Sequence, residues 1–230
     1  MDILLIPGFW LDGDSWNEVA APLRDAGHSI HALTLPGLES RTADRSAITL
    51  QDHVDAVTAA IDAIDGPVVL VGHSGGGAIA WGAVDARPDR VSRVIYVDSG
   101  PLSEGGCVND ELPVVDGEVP LPAWTFFEPD DLVDLTDALR ERFRAIAIPE
   151  PARVTSDPIH LHDPRRYDVP ATVICCEFPS EQLKVWLEHG EWSELPLTKD
   201  YELVDLPTGH WPQFTKPAEL AATILAAVDR

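Results

Sequence analysis

Short continuous apolar runs alternate along this chain with stretches where apolar residues recur every three or four positions. Residues 3–6, 29–35, 68–71, 91–97, 171–176 and 201–206 are such runs, rich in Val, Ile and Leu. Continuous apolar runs of this kind predict strands buried on both faces. Between the first two, Trp16, Val19, Ala20 and Leu23 fall at helical spacing, with Asp14 or Ser15 to cap the start and Gly27 to end it. Thr49 caps a second predicted helix, whose Leu50, His53, Val54, Val57, Ile61 and Ile64 make one apolar stripe. Residues 78–81 open a third helix and 217–228 form the last. Strand and helix in alternation predict an α/β fold: a mostly parallel sheet of about six strands, right-handed crossovers, and helices on both faces.

One stretch breaks the rhythm. Residues 99–168 are rich in Pro, Asp and Glu and hold one clear helical pattern, 130–146. That is too long for an ordinary connection, and insertions of this kind are commonly lids or binding elements. The expected organisation is therefore a core of residues 1–98 and 169–230 carrying a small helical lid, 99–168. Trp124, Phe126, Phe127 and Phe143 supply the lid with apolar groups that could roof a pocket.

Composition narrows the classes of function. At 230 residues the chain suits one domain with a large core. A formal charge of −23 opposes binding to nucleic acid or anionic lipid. The apolar start is broken by Pro7 and has no basic leader, so neither a signal peptide nor a membrane span is expected. The three cysteines, Cys107, Cys175 and Cys176, make no disulfide framework, which favours a cytoplasmic protein.

The candidate chemistry lies where the third strand ends, in Gly72-His73-Ser74-Gly75-Gly76. A strand turning sharply into a helix strains the residue at the turn and pushes its side chain outward, here the Ser74 hydroxyl. Glycines at 72 and 76 leave room for strand and helix to cross closely. The Gly75 N–H then sits at a helix N-terminus, where negative charge is favoured. No Gly-Lys-Ser/Thr follows, so the turn is not a phosphate loop. A serine needs a base. Among eight histidines, His210 is best placed, directly after the last strand at the carboxyl edge of the sheet. His73 is expected to face away from the reacting atom. His160 and His162 have the spacing of metal ligands, but no further Cys, Asp or His supports a site, and no metal is expected.

GHSGG in the central turn, PGFW after the first strand and TGHWPQFTKPAEL near the end resemble the α/β-hydrolase family, and within it the small lidded esterases and hydroxynitrile-lyase-like members. The resemblance implies Ser74 as nucleophile, His210 as base, and the N–H groups of Phe9 and Gly75 as oxyanion hole. Two features depart from the family. Pro7-Gly8 stands where His-Gly is common, and the leading hairpin is absent. The position where most members carry the acid, after the fifth of these strands, holds Cys176-Glu177-Phe178-Pro179. Some members carry the acid one strand earlier, where Asp98 stands. Asp98 is the preferred acid because a strand-end carboxylate is aimed at the site edge; Glu177 is the alternative. The implied activity is a cofactor-free serine hydrolase acting on an ester, thioester or lactone of a small, largely apolar molecule held beside Trp10, Trp124 and Trp211. A monomer or homodimer is expected. The competing readings are a lyase or carbon–carbon bond hydrolase using the same triad, and a non-catalytic small-molecule receptor.

Overall fold

The computed structural model describes residues 1–230. Six strands form one parallel sheet: β1 (Asp2–Ile6), β2 (Ser29–Ala32), β3 (Val68–His73), β4 (Val91–Val97), β7 (Ala171–Cys175) and β8 (Tyr201–Asp205). Their spatial order is β2-β1-β3-β4-β7-β8, so the strand carrying the serine turn is central and β4 lies beside it. Two further strands, β5 (Glu118–Val119) and β6 (Glu150–Pro151), pair antiparallel within the insertion.

Side chains of a strand alternate between faces, and the core divides accordingly. Leu4, Leu70, Val94 and Val173 pack to one side, against α2 (Leu50–Asp62), α3 (Gly75–Ala86) and the insertion. Leu5, Val71, Ile95 and Ile174 pack to the other, against α1 (Asn17–Asp25) and α8 (Pro217–Val228). Thr49 and Asp52 cap α2 reciprocally, each side chain bonding the other's backbone N–H.

The insertion differs most from the expectation. Its main helix, α4 (Asp137–Ile146), begins after Thr136, whose side chain accepts from the Leu139 N–H. Residues 130–134 are turns, and two of their carbonyls are used by the His210 loop. Asp131 O accepts from the His210 N–H at 2.8 Å and Val133 O from the Gly209 N–H at 3.0 Å. Three short or peripheral helices, α5 (Ala152–Ser156), α6 (Ser180–His189) and α7 (Pro212–Thr215), complete the fold. No helix is long and apolar enough to cross a membrane.

Candidate active site

Three strand ends on the carboxyl edge of the sheet meet at one histidine. At the end of β3, Ser74 takes φ +52° and ψ −126°, a conformation that side-chain-bearing residues rarely adopt and that persists only when the surroundings impose it. They do so here by crowding. A Cβ at Gly72 would lie 2.5 Å from the Gly76 carbonyl oxygen, and one at Gly76 would collide with the Pro7 carbonyl. The Ser74 hydroxyl is thereby carried out of the sheet and lies 2.8 Å from His210 Nε2. His210 Nδ1 lies 2.7 Å from Asp98 Oδ2.

Asp98 follows β4 and also stands at positive φ, +47°. Its other oxygen, Oδ1, accepts from the backbone N–H groups of Cys176 (2.9 Å) and Glu177 (3.2 Å). The turn after β7, where most of the family place the acid, here supplies the amides that aim an acid from the neighbouring strand. Glu177 is nonetheless close: its Oε2 is 3.3 Å from the same His210 nitrogen. The imidazole Nδ1 offers one proton, and the shorter contact goes to Asp98. Burial works against a charged His210, but the Asp98 and Glu177 carboxylates outweigh it and raise its pKa above that of a free imidazole. Asp131 of the insertion lines the same cavity, and its carboxyl is raised to about 6 by burial and then by the neighbouring Glu177.

His73 faces away from the Ser74 hydroxyl. It is fully buried, with Nε2 2.6 Å from the His210 carbonyl oxygen and Nδ1 3.2 Å from Gln213 Nε2. Burial, then the neighbouring His210, lowers its pKa to about 3. A neutral His73 therefore donates to the carbonyl of His210 and holds that loop. Sequence reasoning missed this role, as it missed Asp131; nothing in spacing marks either.

Above Ser74 opens a cavity of about 710 Å³, lined among others by Phe9, Trp10, Gly75, Phe126, Phe127 and Trp192. Gly75 opens α3, so its N–H has no partner within the helix, and the Phe9 N–H donates to nothing in the protein. Trp124 and Trp211, expected beside the substrate, do not line the cavity. They meet edge to face with ring centres 6.0 Å apart, and both contact Phe127 and Phe143. Packing among these four rings holds Trp124 and Trp211 back from the cavity, while Phe127 belongs to both the cluster and the wall. Phe126 and Phe127 form the wall instead. The three cysteines are unpaired.

A parallel sheet whose central strand ends in a strained serine, with a histidine bonded between that serine and a strand-end carboxylate, defines an α/β protein with its site at the carboxyl edge of the sheet. The chain belongs to the alpha/beta hydrolase family, whose model matches residues 3–223. It is 28% identical over 257 residues to "Lipase LipV" of Mycobacterium tuberculosis, a match covering 96% of this chain and 91% of that protein. It is 31% identical over 114 residues to the "Carbendazim hydrolyzing esterase" of a Nocardioides species; that match spans 49% of this chain and about half of the relative, 47%. Among solved structures, an extracellular alpha/beta-hydrolase from a Paenibacillus species superposes with a TM-score of 0.79 at 22% identity, covering 99% of this chain and 98% of that one.

Proposed function

We propose that the protein is a cofactor-free serine hydrolase that cleaves a carboxylic ester, thioester or lactone of a small, neutral molecule through an acyl-enzyme. The observation that carries this is His210 bridging Ser74 Oγ and Asp98 Oδ2, at 2.8 and 2.7 Å, on the floor of a cavity. The Ser74 O–H donates to His210 Nε2, which takes the proton as the oxygen attacks the carbonyl carbon. Asp98 holds Nδ1–H and stabilises the imidazolium so formed. The N–H groups of Phe9 and Gly75 are the donors toward the developing oxyanion, the latter aided by the α3 N-terminus. His210 then returns the proton to the leaving alcohol, and water repeats the sequence on the acyl-serine. Relatives named as esterases and lipases support an ester as the bond cleaved.

The lining adds a charge preference. It holds Asp98, Glu111, Glu128, Asp131, Glu177 and Glu191, and no Lys or Arg. An anionic acyl group meets repulsion there without a compensating cation, so a neutral substrate fits best. Residues 99–168 act as the lid that roofs this cavity.

A panel of p-nitrophenyl esters of rising chain length, run beside lactones, tests the reading. Wild type should turn over at least one of them, and Ser74→Ala should lose on the order of 10⁴–10⁶ in rate while remaining folded. A folded Ser74→Ala protein retaining more than a few per cent of wild-type turnover would contradict it.

A further inference from the structure

The insertion grips a single residue of the loop after β1 from three sides. The Trp10 carbonyl accepts the Ile148 N–H at 2.9 Å, the Trp10 indole N–H donates to Val119 O at 3.0 Å, and the Trp10 backbone N–H donates to Glu150 Oε2 at 3.1 Å. Val119 and Glu150 are register partners in the β5–β6 ribbon. Trp10 stands at φ +67°, in the left-handed region that a bulky side chain rarely occupies. External bonds must hold it there. One peptide upstream is Phe9, whose free N–H points to the oxyanion role above.

Glu150 is 1% exposed, and no cation bonds it. Arg45 acts on it only at longer range, being committed to Glu118 at 2.9 Å. From α2, His53 presents Nδ1 at 3.9 Å from Glu150 Oε1. His53 Nε2–H donates to the Pro36 carbonyl at 2.8 Å, which leaves Nδ1 as a buried lone pair with no partner. Burial lowers the His53 pKa to about 4. Burial also raises Glu150 to about 8, against the opposing pull of the Trp10 N–H and Arg45. At neutral pH the pair is therefore an uncharged acid facing an uncharged base. Glu150 Oε2 takes the Trp10 N–H, and Oε1 faces His53 Nδ1 across 3.9 Å.

We propose that Glu150 is a positioning residue for the oxyanion hole, a buried acceptor through which the β5–β6 ribbon holds Trp10 in its left-handed conformation and so aims the Phe9 N–H. The proposal rests on the serine-hydrolase reading for its effect on turnover, but not for its effect on Trp10.

Two variants separate positioning from bulk packing. Glu150→Gln keeps an oxygen for the Trp10 N–H and places an NH₂ toward His53 Nδ1, reproducing the polarity of the neutral acid. Glu150→Met keeps the shape without an acceptor. Removing one oxyanion donor outright costs about 10²–10³ in kcat, and misaiming one should cost about 10- to 100-fold. The expected result is kcat within threefold of wild type for Glu150→Gln and a 10- to 100-fold fall for Glu150→Met, with KM within twofold in both. Amide exchange at Trp10 should stay protected in Glu150→Gln and lose protection in Glu150→Met. The melting temperature of Glu150→Gln should gain on wild type as pH rises from 5 to 8.5, because wild type alone must take up a proton on folding once its unfolded carboxyl is ionised. A folded Glu150→Met protein with unchanged kcat and a protected Trp10 amide overturns the proposal. So does a Glu150→Gln protein that loses more than tenfold in kcat, which also decides the matter should Glu150→Met fail to fold. If wild type turns over no ester and Ser74 reacts with no fluorophosphonate, the hydrolase reading falls, and Trp10 exchange alone decides whether Glu150 holds the loop.

Discussion

Two carboxylates compete for one proton on His210, and their distances rank them. Asp98 at 2.7 Å is fixed by two backbone amides, whereas Glu177 at 3.3 Å makes no hydrogen bond through that oxygen. In a known triad, replacing the acid by its amide costs roughly 10⁴ in turnover because the histidine adopts the wrong tautomer. Asp98→Asn should fall short of that, to about 10²–10³, because Glu177 remains within reach of Nδ1; a double variant with Glu177→Gln should lose the rest. Glu177→Gln alone should keep most turnover at its optimum. It should also move the acidic limb of the kcat/KM profile to lower pH. The sign follows from His210: its pKa is raised by both carboxylates, the neutral imidazole is the base, and removing one carboxylate lets that base form at lower pH. A limb that stays in place would remove Glu177 from the electrostatics of the site. Ser74, Asp98 and His210 were legible in the sequence because the first two follow their strands directly and the third lies on the short loop after the last strand, so the sheet fixes where each emerges. His73, Asp131 and Glu150 were not, since their roles depend on which carbonyl or amide the fold brings opposite them.

Apart from β2, the strands and the longer helices of the core were legible within a residue or two wherever an apolar run or stripe recorded their burial. β4 and α8 occupy the expected residues, while β2 stops at Ala32 instead of continuing to Leu35. The insertion was not legible in this way. Its ribbon strands have two residues each, too few for alternation to show, and its turn at 130–134 is held by the His210 loop, not by its own sequence. The aromatic residues of the insertion divide by position. Trp124 belongs to a packed cluster with Phe127, Phe143 and Trp211, whereas Phe126 is 46% exposed at the cavity wall. Phe126→Ala should therefore shift acyl-chain preference across the ester series with little change in stability. Trp124→Ala should instead lower unfolding stability by about 2–3 kcal/mol, somewhat less than a fully buried aromatic, with the preference profile unchanged. Denaturant unfolding of both variants beside the ester series checks the division, and a reversed pattern would return Trp124 to the pocket wall.

Over the whole molecule, sixteen basic residues against thirty-nine acidic ones leave a charge of −23, and the cavity shares that sign. A neutral ester should therefore exceed its anionic isostere in kcat/KM by tenfold or more at low salt, and the gap should narrow as ionic strength screens the exposed rim carboxylates. Equal rates for the two at low salt would place the acidic lining outside substrate selection. All of this presupposes that Ser74 is a nucleophile activated by His210, and covalent capture tests that most directly. After incubation with a fluorophosphonate at neutral to alkaline pH, mass spectrometry should show wild type carrying one adduct, on the peptide containing Ser74, and Ser74→Ala carrying none. Unlabelled wild type, or a label found on any other residue, would contradict the account.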